Sequence, residues 1–197
     1  ARFSKLWAPK GGTARLRTVD VHLDGTIVAA GDVINGDGKG RRWLVMARSP
    51  HGELKWQWDL EAEQPSSWHR AIGVIAAGDK ATWVGGTVST KTGLQSAVAR
   101  LSPTGKKLAL ITTRSTKNKG STSYSERLTA FVRGPLGAMY GMTVQGNLAS
   151  AHSLGDAEIF RVSAIGDIVW RKDAAKPRVG SDAALGVDSS GHLLLSF

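Results

Sequence analysis

The chain has no cysteine, only six prolines and only two tyrosines among its 197 residues. Without cysteine there are no disulfides, no thiolate metal ligands and no cysteine nucleophile. A cysteine-free chain fits an extracytoplasmic setting, periplasmic or secreted, such as a bacterial envelope. No apolar run approaches the ~20 residues needed to cross a bilayer, so no membrane span is expected. The sequence shows no signal peptide, and an exported protein would already have lost it. Acidic residues are scarce, 16 Asp and Glu against 26 Lys and Arg, which leaves a formal charge of +10. Nucleophile elbows, Walker loops and zinc-hydrolase helices are also missing.

What is present in quantity is glycine, 24 residues, in a chain that is 41% hydrophobic. That balance suits a turn-rich all-β protein and is too apolar for a disordered one. The stretch Gly25–Leu60 shows the pattern. Thr26–Val33 and Trp43–Ser49 are β-prone runs, and Leu54–Leu60 alternates Leu54, Trp56 and Trp58 against Lys55 and Gln57. A polar loop joins the first two runs, and a turn centred on His51-Gly52-Glu53 joins the last two. An inner strand, Thr13–Val21, precedes them.

The pattern returns. A second copy runs through Arg70–Ala76, Ala81–Val88, Ala97–Leu101 and Leu108–Thr112, and a third through Arg127–Arg133, Ala138–Val144, Glu158–Ser163 and Ile168–Arg171. Ser181–Val187 and His192–Phe197 begin a fourth. Gly52, Gly105 and Gly166 mark the same turn, spaced 53 and 61 residues apart, and are expected in left-handed or similarly Gly-favoured backbone. Arg17, Arg70 and Arg127, spaced 53 and 57 apart, read as one position opening successive inner strands, with Ala183 in the fourth. Gly73, Ala130 and Gly186 are then expected along a narrow channel. A four-strand repeat of this length indicates a propeller. The expected fold is all-β, a β-propeller of four-stranded antiparallel blades. About four blades fall in these 197 residues as a single propeller domain or propeller fragment. The ring is either closed and four-bladed, with Ala1–Lys10 supplying the outer part of the last blade, or part of a larger propeller completed by another chain or segment.

The runs VMARSPHGELKW, AVARLSPTGKKL and IFRVSAIGDIVW, with DGTIVAAG before the first, resemble the repeats of bacterial PQQ-like and SBBP-type propellers. That resemblance spans nearly the whole chain and implies fold alone, because such repeats serve enzymes, lectins and scaffolds alike. Vicinal cysteines of the quinone enzymes are absent, which argues against that cofactor, and none is expected.

Asp32, Asn35 and Asp37 resemble the oxygen ligands of integrin-type calcium loops, but Ile34 breaks their spacing and Arg41-Arg42 stand where a further carboxylate belongs. A plain turn uses the same letters. His22, His51, His69, His152 and His192 show no metal spacing. His22, His51 and His192 flank or occupy turns and are expected at the surface, whereas His69 falls at a blade junction. Asp20, Glu126 and Asp182 would face one another if they shared one end of the axis, and paired carboxylates perform acid–base work. Trp7, Trp43, Trp56, Trp58, Trp83 and Trp170 fall on strands and are expected to be core. Trp68 and Tyr124 precede inner strands within polar junctions and are ligand-contact candidates.

Charge supplies the functional expectation. Arg17, Arg70 and Arg127 would converge at one mouth of the ring, joined by Lys117, Lys119, Lys176 and Arg178 from neighbouring loops. Trp68, His69 and Tyr124 complete the candidate binding set. Such a field favours an acidic protein or an anionic polymer, with nucleic acid bound without sequence preference. The expected function is a non-catalytic binding or scaffold propeller. The alternative is a propeller hydrolase or lyase acting on a carbohydrate or ester at the same mouth.

Overall fold

The computed structural model describes residues 12–36, 40–60, 69–91, 93–113, 125–146, 155–174 and 183–196. Within them β1 (Gly12–Val21), β2 (Ile27–Asn35), β3 (Arg41–Arg48) and β4 (Leu54–Leu60) form an antiparallel sheet in sequence order. A second sheet contains β5 (Arg70–Ala76), β6 (Thr82–Thr90), β7 (Gly93–Leu101) and β8 (Lys107–Thr113). The third contains β9 (Ser125–Arg133), β10 (Met139–Gly146), β11 (Asp156–Val162) and β12 (Ile168–Asp173). β13 (Ala184–Val187) and β14 (Leu193–Ser196) form a two-stranded sheet. The fold is all-β and propeller-like, four successive blades of which three are four-stranded among the described residues. No helix long and apolar enough to cross a membrane occurs among those residues.

The first strand of each blade is innermost, with β5 packed on β1, β9 on β5 and β13 on β9. Hydrophobic cores lie between consecutive blades, as the strand pleat requires: one face of each sheet meets the blade before it and the other the blade after. Val28, Ala30, Trp43 and Val45 of the first blade pack against Ala71, Val74, Val84 and Leu101 of the second. Ile75, Trp83 and Val98 then meet Leu128, Phe131, Met139 and Phe160. Tyr140, Met142 and Ile159 meet Ala183 and Leu185. Trp43 and Trp83 are fully buried, while Trp56, Trp58 and Trp170 pack partly buried at the edges of these cores. Trp7 lies outside the described residues.

Two turn designs recur. After every inner strand five residues intervene before the next strand, closed by an amide-to-carbonyl bond: His22 to Thr26, Ala77 to Ala81, Gly134 to Ala138 and Asp188 to His192. The third-to-fourth strand turns close in the same way from Ser49 to Glu53, Ser102 to Lys106 and Ser163 to Asp167. Gly52, Gly105 and Gly166 within them have φ of 86°, 80° and 112°, the left-handed backbone expected of the repeat.

Counting back from these turns gives a register that differs from the sequence reading. Each inner strand of the three four-stranded blades carries a β-bulge at the same place, between Leu16 and Thr18, Ala71 and Gly73, and Leu128 and Ala130. The extra residues are Arg17, Ile72 and Thr129. Arg17 is therefore not equivalent to Arg70 and Arg127; Arg15 is, opposite Asp32 as they are opposite Thr87 and Val144. β1 accordingly begins five residues before Arg17, at Gly12, whereas β5 begins at Arg70 and β9 at Ser125. The pairing of Arg17 with Ala183 holds. Gly73, Ala130 and Gly186 likewise do not form one set. Gly73 and Ala130 share a position with Ala184, and a Cβ on Gly73 would lie 2.8 Å from Cβ of Phe131, so packing between blades requires the glycine there.

Candidate anion-binding site

One end of the assembly gathers the starts of the inner strands. The other end gathers the five-residue turns. At the strand-start end, the bulge turns Arg17 out of the alternation of β1 and sets its Nε 2.5 Å from Oδ1 of Asp32. Asp32 is fully buried on β2, and its Oδ2 has Nη1 of Arg41 at 3.7 Å as an ion-pair partner. Arg41 opens β3, and its carbonyl accepts the His69 amide at 3.2 Å, which fastens the start of the second blade to the first. His69 is itself buried.

Arg70 follows directly. It is half-buried, and among the described residues no hydrogen bond or ion pair neutralises it; its Nε is enclosed and unpartnered. Burial pulls its pKa below the ordinary guanidinium value, and the positive fields of Arg17, Arg41 and Arg127 add to that, with the Asp32 carboxylate opposing. Burial lowers the pKa of Arg127 as well. Arg17, Arg41 and Arg127 thus set their positive fields on Arg70 against the Asp32 carboxylate in a partly desolvated place. Loss of water strengthens each field there, and a planar fork of N–H donors suits a carboxylate, sulfate or phosphate.

The arginines singled out from the sequence thus meet, through a different geometry. Arg70 and Arg127 are equivalent positions, Arg17 arrives through a bulge, and Arg41 was missed. Its signal lay in Arg41-Arg42 beside Asp32, read as spoiling a calcium loop. Asp32 is engaged by Arg17 and Arg41, so its carboxylate serves the arginine cluster; Asp37 lies outside the described residues. Trp68, Lys117, Lys119, Tyr124, Lys176 and Arg178 lie outside them too, as do His152 and Asp182. Among the described residues, no group of three or more His, Asp and Glu side chains is arranged to hold a metal ion.

Other expectations are corrected. His22 is buried, its Nε2 3.2 Å from Oγ1 of Thr82, because the first-blade turn packs against the second blade. His51 and His192 are exposed as expected. Asp20 and Glu126 lie at opposite ends of the inner strands. Oδ2 of Asp20 accepts the Ala76 amide at 2.8 Å and Nη2 of Arg133 at 2.8 Å, at the turn end, and Arg133 also bonds the Ala76 carbonyl. Glu126 is buried at the strand-start end, accepting from Thr113 Oγ1 at 2.6 Å and from Arg171 Nη2 at 3.3 Å. Its neighbour in space is Glu158, which accepts from Gln145 at 2.5 Å and from the same Arg171 nitrogen at 2.6 Å. This pair of carboxylates, unnoticed in the sequence, is held by donors between the second and third blades.

No protein-family model matches the chain, and no curated protein does. Among solved structures the chain is similar to a protein of unknown function from Bacteroides caccae, with 12% identity and a TM-score of 0.42 over 86% of this chain and 70% of that one.

Proposed function

We propose that the chain is a non-catalytic binding or scaffold propeller that holds an anionic group of its partner at the strand-start mouth. The observation that carries this reading is Arg70, a half-buried guanidinium whose Nε has no hydrogen-bond partner among the described residues, placed among Arg17, Arg41 and Arg127 with the nearby Asp32 already engaged by Arg17 and Arg41. An anion there would complete the hydrogen bonding of Arg70 and relieve repulsion among its neighbours. The partner is an acidic protein or an anionic polymer, and the +10 charge of the chain raises its local concentration before contact. Asp32 fixes the orientation of Arg17 and Arg41, so the donors are set before the ligand arrives.

The test is equilibrium binding of a heparin-like polyanion at rising salt, comparing wild type, Arg70→Gln and Lys107→Gln. Lys107 is an exposed cation at the start of β8, at the turn end, and controls for net charge. A charge-assisted hydrogen bond is worth about 1.5–3 kcal/mol, so Arg70→Gln is expected to weaken binding roughly 10- to 100-fold. Lys107→Gln should change it only as much as one unit of screened charge does. Equal losses in the two variants would mean that a diffuse field does the binding, and the proposal would fail.

A further inference from the structure

The inter-blade interfaces follow one rule, and one face of the molecule is left outside it. Val19, Val74, Phe131 and Leu185 occupy the same position, the third-last residue of the inner strand by the shared turns. Val74 is buried against the first blade, Phe131 against the second and Leu185 against the third. Val19 packs against no other blade among the described residues and is 63% exposed. Leu16 and Val21 beside it are also exposed, and Leu16 and Val19, with Ile27, Ala29 and Met46, floor a groove of about 470 Å³ rimmed by Arg17 and Arg48.

At the other end of the blade series stands the complementary half. Leu194 matches Trp83 in register, and Trp83 is buried in the core between the second and third blades. Leu194 is 60% exposed, and Ala184 next to it on the same face is exposed as well. β13 is not packed on β1 as β5, β9 and β13 are packed on their predecessors.

We infer that these two faces are halves of an intermolecular interface, in which the fourth blade of a second copy seats on the first blade of its neighbour. The argument is continuity: the contact would repeat a packing that the chain already makes three times within itself. Apolar faces of this kind on a soluble surface mark association sites. Because the two halves differ, the contact is heterologous, and copies would join head to tail into rings or open chains. Like charge on every copy opposes this at low ionic strength. The screening length falls to about 8 Å at 0.15 M, so association should strengthen with salt, whereas polyanion binding weakens.

The absence of cysteine makes the test clean. The Gly73 equivalent of Ala184 carries an ideal Cβ 2.8 Å from Cβ of Phe131, the equivalent of Val19. A slight relaxation brings such a pair to the ~3.5–4.5 Å that a disulfide requires. Purified Val19→Cys and Ala184→Cys proteins would be mixed under mild oxidation and analysed by mass. The expected result is a mixed disulfide dimer at least 10-fold above either homodimer, and larger species for wild type than for Val19→Lys in sedimentation at 0.3 M salt. Val19 is exposed, so Val19→Lys should keep the wild-type circular dichroism. Absence of the mixed disulfide would overturn the inference. So would a bond formed within a single chain in the Val19→Cys/Ala184→Cys protein, since the chain's own fourth blade would then cover the face.

Discussion

Gly105 and Gly166 have the same role in the repeat and different surroundings. Both have positive φ, but a Cβ on Gly105 would lie 2.7 Å from the Trp56 ring, whereas the nearest atoms to one on Gly166 are 3.6 Å away. Gly105→Ala is therefore expected to cost about 2 kcal/mol in urea unfolding, conformational strain plus overpacking, and Gly166→Ala about 1 kcal/mol. Lys80 stands where the other blades have Gly25, Gly137 and Gly191, and it holds φ of 64°. Lys80→Gly should leave stability unchanged or raise it by up to about 0.5 kcal/mol, because released strain exceeds the entropy added to the unfolded chain. These glycines were legible because the turn chemistry is local. Asp32 was not: its partner Arg17 lies fifteen residues away on the facing strand, and only the pairing register brings them together.

Acid behaviour is also set by single residues in turns. The Asp24 carboxyl is held below its ordinary value chiefly by the Thr26 amide, and that of Asp188 chiefly by the His192 side chain. At Asp79 burial pushes upward, and the Ala81 amide and Arg100 together outweigh it. For a group whose folded pKa is depressed, the stabilisation is present above the unfolded value near 3.8 and is lost as pH falls through the lower folded value. Urea midpoints should therefore fall as the pH is lowered below about 4, and less steeply in an Asp24→Asn/Asp79→Asn/Asp188→Asn protein, where these groups no longer titrate.

Strands, as elements, were read well because alternation and turn residues bracket them. The shared bulge escaped, since its extra residue is Arg in one blade, Ile in the next and Thr in the third, so no residue type marks it. It divides each inner strand into two parts whose side chains are set to opposite faces. Deleting Ile72 removes the extra residue and leaves Arg70 opposite Thr87, Ala71 opposite Gly86 and Gly73 opposite Gly85, so the ladder becomes regular and the expected cost, about 1–3 kcal/mol, is the lost Ile72 packing and the lost local twist. Ile72→Ala, which keeps the bulge, should cost about 1–2 kcal/mol because Ile72 is only partly buried. Thermal unfolding of the two variants separates the contribution of the backbone bulge from that of its side chain.

On the scale of the whole molecule, the number and order of blades was legible from the repeat, and the way polar groups cross between blades was not. The Asp20 carboxylate reaches the amide of Ala76 and the guanidinium of Arg133, so three inner strands share one carboxylate. Both side chains are partly exposed, and Asp20→Asn is expected to lower global stability by less than about 1 kcal/mol. Its clearer effect should be faster hydrogen exchange at the Ala76 amide, whose acceptor is weakened.

The recurrence of the bulge with three unrelated residues carries a consequence for how such a chain can be rebuilt. The kink belongs to the backbone and makes no demand on any one side chain. A blade is then an interchangeable part with two fixed joints, the kink and the five-residue turn. A chain in which residues 70–113 are spliced in place of 127–174, so that kinks and turns coincide, would keep every strand in step and would have to renegotiate only the side chains that face its new neighbours.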